Sequence, residues 1–289
     1  MEEIHKYVKY FPKTFQCDMN AFLFYRYLSV TIKSPDTDVA VLACCLSHSF
    51  PSATSLIFLS GSRRNSRLVD IKGIGDELGQ LTCSALLGMH SFTGCDTVSA
   101  FHGRGKSTAY QLIRSDGEKG TLARAAMSAL GNSFNLSPST FSAVERYTCI
   151  LYDRPALWDI NEARYDLFSS VDASRDSSRL PPCKDALVKH TARANYQAEI
   201  WRKSLEAQPD IPPPFTAHQG WKLVDGKLQV DWLSLEPAPK ALMGVVKCGC
   251  KTGCDGGRCS CKAQSLHCTD VCGCSAADSC QNRASDLGP

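Results

Sequence analysis

The sequence predicts an α/β domain with a helical extension, followed by a small irregular module built on cysteine, and three observations carry that reading. Short β-branched runs separated by turn residues occupy residues 28–72. Apolar residues recur at helical spacing through much of the stretch from 75 to 205. Nine of the 16 cysteines crowd between Cys248 and Cys280, a density that an ordinary apolar core does not call for.

Leu28-Ser29-Val30-Thr31-Ile32 is a β-branched run that stops at Ser34-Pro35, the pattern of a strand running into a loop. Asp36-Thr37-Asp38 then leads into Val39–Leu46, either a helix capped by one of the aspartates or a second strand. Ser55–Ser60 and Arg67–Lys72 read as further strands around a turn at Gly61–Asn65, whose Arg63 and Arg64, with Arg67, read as a solvated loop. From Gly75 to Ile113 the pattern is helical, with interruptions at Gly88, Gly94, Gly103 and Gly105.

Beyond residue 130, Phe141, Val144, Tyr147, Ile150 and Leu151 mark a helix over Ser139–Tyr152, and the polar Ser169–Arg179 reads as loose. Residues 190–207 read as an exposed helix with a stripe of Ala194, Ala198, Trp201 and Leu205, ended by Pro209 and Pro212–Pro214. Asp225-Gly226 is the dipeptide of a tight type I′ turn, so Trp221–Trp232 is expected to be a β-hairpin. The division expected is 1–130 for the α/β domain, 131–240 for helical and hairpin connections, and 241–289 for the cysteine module.

With 289 residues, 43% hydrophobic and 21% charged, the composition is that of a soluble globular protein. A net charge of +3 does not by itself announce a nucleic-acid binder. No run approaches the roughly 18 apolar residues of a membrane span. Charged residues break the first thirty residues, which lack the apolar stretch of a secretion signal. The expected compartment is therefore reducing, where clustered thiols read as metal ligands before disulfides.

Seven cysteines (Cys17, Cys44, Cys45, Cys83, Cys95, Cys149 and Cys183) are scattered and read as small buried apolar residues. The other nine are Cys248, Cys250, Cys254, Cys259, Cys261, Cys268, Cys272, Cys274 and Cys280. Six terminal and three bridging thiolates would supply the twelve bonds of three tetrahedral zinc ions. An all-sulfur shell leaves no open position for catalysis. Metal binding would then supply most of the folding free energy of this segment, on the order of 10 kcal/mol per ion.

Cys248-Gly249-Cys250-Lys251-Thr252-Gly253-Cys254, Arg258-Cys259-Ser260-Cys261, Cys272-Gly273-Cys274 and Cys280-Gln281-Asn282 resemble a single tesmin-type CXC domain. That resemblance implies a three-zinc fold, DNA as partner and a nuclear location. Where many members carry an aromatic residue before the fourth cysteine, this chain has Arg258, whose guanidinium can read a narrow minor groove by charge. Tandem copies are common in the family; here there is one. Residues 241–289 hold five basic side chains against four acidic ones, so DNA affinity would depend on how Lys251, Arg258 and Lys262 share a face.

Two further motifs carry candidate chemistry. Asp36 and Asp38 follow a strand, where paired carboxylates can hold magnesium; read alone, an Asp-x-Asp at a helix start is more often a cap. Gly103-Arg104-Gly105-Lys106 opens a helix with backbone N–H groups able to cradle a phosphate, although a plain helix-start turn is the commoner meaning. His48, His90 and His102 stand around these motifs and read as satisfied histidines. Phe22, Phe24, Tyr25 and Tyr27 read as core.

The order Ser34–Asp38, Thr93-Gly94-Cys95-Asp96, Ala100–Lys106 resembles the rear half of a PIN-like, flap-endonuclease-type nuclease domain, over about residues 28–115. It is also similar to that of large transposon-associated proteins bearing CXC domains in animal genomes. The resemblance implies Asp36, Asp38 and Asp96 as magnesium ligands, and Gly103, Arg104, Gly105 and Lys106 as a grip on duplex DNA. Such nucleases draw further carboxylates from an N-terminal portion, whereas Glu2, Glu3 and Asp18 are the acids that precede Asp36 here. The expectation is a nuclear, zinc-dependent DNA-binding or chromatin-associated protein with an incomplete nuclease-like domain. An active metal-dependent endonuclease is the alternative.

Overall fold

Val30 and Ile32 alternate with Ser29, Thr31 and Lys33, and this period of two gives β1 (Ser29–Lys33) one half-buried face. The computed structural model describes residues 29–61, 65–169, 179–206, 208–216, 219–234, 247–251, 253–256, 258–268, 272–274 and 280–283. The chain divides after Trp232 into two units.

In the first unit, the Asp36 side chain accepts the Asp38 N–H at 2.9 Å and caps α1 (Thr37–Leu46), so the stretch after the aspartates is a helix rather than a strand. The helix crosses over to β2 (Ser55–Ser60), which lies parallel to β1 with Ser29 opposite Ser55 and Lys33 opposite Leu59. β3 (Arg67–Asp70) returns antiparallel to β2. It is shorter than the sequence suggests, because the Asp70 carboxylate accepts the Gly73 N–H at 2.9 Å and starts α2 (Ile71–Leu78). Val39, Ala43, Phe50, Leu56, Phe58 and Ile71 form a small core between the sheet and these helices.

A larger core is built around α3 (Gln80–Phe92), α4 (Lys106–Arg114), α5 (Gly117–Ala129) and α6 (Pro138–Leu151). Gly79, at φ +76°, separates α2 from α3. Gly88 does not interrupt α3. It brings α3 against α5 so closely that any Cβ there would overlap the Met127 carbonyl. α7 (Ile160–Ser169) buries Ile160 and Ala163 against the same core.

The helix expected to be exposed is the most enclosed of the unit. α8 (Lys184–Arg202) buries every side chain from His190 to Glu199. Several of its polar residues bond to neighbouring backbone and loops, whereas Thr191 Oγ1 and Glu199 Oε2 are buried without a hydrogen-bond partner. Asn195 donates to the Ser133 carbonyl at 2.7 Å and accepts the Gly131 N–H at 2.9 Å. Arg193 donates to the carbonyls of Gly220 and Asp231, Tyr196 to Pro212, and Arg202 to Leu130. The apolar core draws on residues from Leu42 to Trp201, on both sides of residue 130. β4 (Trp221–Val224) and β5 (Lys227–Val230) pair through Asp225 (φ 50°) and Gly226 (φ 73°), the expected tight turn.

The second unit contains one short helix among its described residues, α9 (Ser260–Ala263). Its buried cluster consists of eight cysteines, with Cys250 and Leu266 packed at the edge. The expectations for Cys17, Phe22, Phe24, Tyr25, Tyr27, Arg63, Arg64 and residues 170–178 fall outside the described residues.

Candidate functional site

Cys248, Cys254, Cys259, Cys261, Cys268, Cys272, Cys274 and Cys280 are buried, and Cys250 is half-buried. All nine are free thiols. The sulfur separations are 3.8 Å for Cys248–Cys254, Cys248–Cys268, Cys259–Cys268 and Cys274–Cys280, and 3.6 Å for Cys261–Cys272. A disulfide requires about 2.05 Å. Four sulfurs at about 2.3 Å from one zinc ion stand about 3.8 Å apart along each tetrahedral edge. The thiols are therefore spaced as ligands of a shared cation, not as partners in covalent pairs.

Three overlapping groups of four thiols have all their sulfurs within 4.8 Å of one another: Cys248 with Cys259, Cys261 and Cys268; Cys248 with Cys250, Cys254 and Cys259; Cys248 with Cys254, Cys268 and Cys274. Cys248 belongs to all three, the position a bridging ligand would take. The backbone sets this spacing through bonds between distant loops. Gly273 N–H donates to the Cys248 carbonyl at 2.6 Å, Gln281 to Gly253 at 2.7 Å, and Cys268 to Asn282 at 2.7 Å. Asn282 also donates from Nδ2 to the Leu266 carbonyl at 2.8 Å and to the Cys268 sulfur at 3.5 Å.

Burial pushes the Cys261 thiol up to about 12 and raises Cys254 and Cys268 as well. Cys259, which accepts backbone N–H groups of the following turn, is held down at about 7, and a cation bound by these sulfurs would displace their protons. The all-sulfur donor set is compatible with zinc, and the cluster can hold metal ions. Lys251, Arg258 and Lys262 are all exposed on this unit, with Lys262 donating to the Asp255 carbonyl.

The first unit holds a second polar site, an open cleft of about 580 Å³ whose polar lining is Thr37, Asp38, His90, Asp96, Lys106 and Ser107. Its walls are the start of α1, the end of α3, the loop after α3 and the start of α4. His90, near the end of α3, donates from Nε2 to Asp38 Oδ1 at 2.7 Å. That bond, supported by the charge of Lys106, holds the Asp38 carboxyl below its ordinary value against the opposing effect of burial. Lys106 also donates to the Gly94 carbonyl.

The structure divides the residues singled out by the sequence. Asp38, Asp96 and Lys106 line the cleft; Asp36, Gly103, Arg104 and Gly105 are not part of its lining. Asp36 is engaged as the cap of α1. Arg104 pairs with Asp153 at 2.9 Å and lies 5.4 Å over the Tyr152 ring. Gly105 is the N-cap position of α4, with no side chain capping the helix. Among the described residues, the groups of three or more ligand atoms within 4.8 Å of one another consist of thiols alone. Asp36, Asp38 and Asp96 do not form such a set among the described residues.

The sequence placed His90 among these motifs without showing its partner, and it did not single out His190. His90 meets Asp38 across 52 positions of sequence, and no local spacing announces such a contact. His190 lies outside every motif, yet it supports the loop that carries Asp96, bonding to Phe92 and Ser99. No protein-family model, curated protein or solved structure matches the chain.

Proposed function

We propose that the chain is a zinc-organised DNA-binding protein of the nucleus, in which the C-terminal thiol cluster forms the contact module and the α/β domain is nuclease-like but not hydrolytic. The observation that supports it best is the set of buried free thiols spaced 3.6–3.8 Å apart, the edge length of a zinc–thiolate tetrahedron. Seven of the nine thiols share membership of three groups of four, and nine thiolates suit three zinc ions with three bridging sulfurs by count. Such a cluster carries about three negative charges of its own. Affinity for a phosphate backbone would therefore come from the exposed Lys251, Arg258 and Lys262.

Electrophoretic shift of duplex DNA by the zinc-loaded full chain tests this reading. Binding is expected to weaken with rising salt, to be lost after chelation, and to fall about tenfold or more in Arg258→Ala. Equal binding by the zinc-loaded and chelated chains would refute a role for the cluster.

The second reading is magnesium-dependent phosphodiester hydrolysis by Asp36, Asp38 and Asp96. It draws on the presence of Asp38 and Asp96 in one cleft beside Lys106, and it is weakened by the capping role of Asp36. Cleavage of flapped and duplex DNA by the wild type, lost in the Asp36→Ala, Asp38→Ala double variant, would favour it. Identical background in both excludes it.

A further inference from the structure

We infer that the Asp38 cleft is independent of divalent metal, because His90 engages one Asp38 oxygen and Lys106 brings a positive charge to the same cleft. The inference rests on the non-hydrolytic reading of the first unit and supplies its physical reason. Asp38 Oδ1 accepts the Nε2 hydrogen of His90 at 2.7 Å. His90 is itself buried and packs against Trp201, with ring centroids 5.5 Å apart. It stands behind Asp38 on the core side, and its packing in α3 keeps it there. Asp38 is the more open of the two, with 28% of its side chain exposed against 7% for His90.

A second positive charge lines the cleft. Lys106 is one of its lining residues, and its ammonium is tied to the Gly94 carbonyl instead of ranging through solvent. A magnesium ion entering here would meet a carboxylate with one oxygen already engaged and a fixed positive charge close by, and each effect lowers its affinity. Of the other two aspartates, Asp36 is engaged as a cap, its Oδ1 accepting the Asp38 N–H at 2.9 Å, and Asp96 lines the cleft as an exposed side chain that forms no close set of ligand atoms with Asp38 among the described residues. A phosphate group reaching the cleft would meet the Lys106 ammonium and the Ser107 hydroxyl directly, with no metal ion as intermediary.

The test is a manganese titration of the zinc-loaded full chain, with free Mn²⁺ counted by electron paramagnetic resonance. Four proteins are compared: wild type, Asp38→Asn, His90→Leu and Lys106→Met. His90→Leu keeps the apolar packing against Trp201, and Lys106 is exposed, so its change leaves the core intact even if His90→Leu folds poorly. Wild type is expected to bind no more Mn²⁺ than Asp38→Asn, and Lys106→Met to bind measurably more than either. One Mn²⁺ bound by wild type and lost in Asp38→Asn would overturn the inference. So would an absence of any gain in Lys106→Met. Neither result bears on the thiol cluster, whose role is read separately by the DNA shift.

Discussion

His190 donates from Nε2 to the Phe92 carbonyl at 2.8 Å, joining the centre of α8 to the end of α3. With that nitrogen donating, Nδ1 is left to accept from the Ser99 hydroxyl at 3.2 Å, and the neutral imidazole satisfies both partners. Seven residues downstream, Gln197 accepts the Thr97 hydroxyl at 2.6 Å. Residues 93–99, including Asp96, are thus fastened to a helix nearly a hundred positions away. The cleft depends on α8 as much as on the motifs that line it.

This arrangement gives stability a pH dependence of known sign. Burial pushes His190 down to about 4 from an ordinary value of 6.5. As pH falls below 6.5 the unfolded chain takes up a proton that the folded one refuses until about 4. Stability is therefore full above 6.5 and lost between the two values, by about 3 kcal/mol in all. Urea unfolding of the first unit at pH 7 and pH 4.5 should show a smaller loss in His190→Gln than in wild type. Equal losses would remove His190 as the cause.

Gly88→Ala should destabilise the first unit by about 1–3 kcal/mol, since the added methyl would overlap the Met127 carbonyl where α3 and α5 meet. For a domain of this size that corresponds to a fall of several degrees in Tm. Helix propensity alone predicts the opposite, a gain of up to about 1 kcal/mol. The sign of the measured shift decides between close packing and propensity.

Removing metal should leave the helices of the first unit standing. Their described core is apolar and is drawn from the first unit, whereas the buried cluster among the described residues of the second unit consists of thiols. After chelation, far-ultraviolet circular dichroism should change little while all nine cluster cysteines become reactive to a thiol reagent. Loss of most of the helical signal would show that the first unit depends on the metal.

Lys184→Met tests a different support. Lys184 reaches the buried Glu145 at 3.1 Å and Asp159 at 2.9 Å. The Glu145 carboxylate also accepts the Ile160 N–H at 3.1 Å. Removing the ammonium leaves a buried carboxylate with fewer partners, at a cost of about 1–2 kcal/mol, discounted because Lys184 is itself well exposed. Glu145→Gln should restore part of that loss in the double variant, and a thermal melt of the three proteins reads it.

What was legible in the sequence was local. The alternation in Ser29–Lys33, the strand at Ser55–Ser60, the helix over most of Ser139–Tyr152 and the Asp225-Gly226 turn each follow from residues within a few positions of one another. The grouping of the nine thiols is similarly dictated by close spacing. What escaped was set by contacts at long range. A helix as polar as His190-Thr191-Ala192-Arg193-Ala194-Asn195 reads as solvated until the carbonyls of Phe92, Ser133 and Gly220 are placed beside it. Gly88 reads as a break until α5 is packed on it. Asp38 reads as half of an aspartate pair until His90 arrives from another helix.

The most direct test of the central claim is the metal and thiol content of the full chain, purified under reducing conditions without added chelator. Close to three zinc ions per chain are expected, with all nine cysteines from Cys248 to Cys280 reduced and zinc released as they are titrated. Cys248→Ser, which removes the sulfur common to all three groups of four, should lose more zinc than Cys250→Ser. A chain without zinc, with those cysteines joined as disulfides, would contradict it.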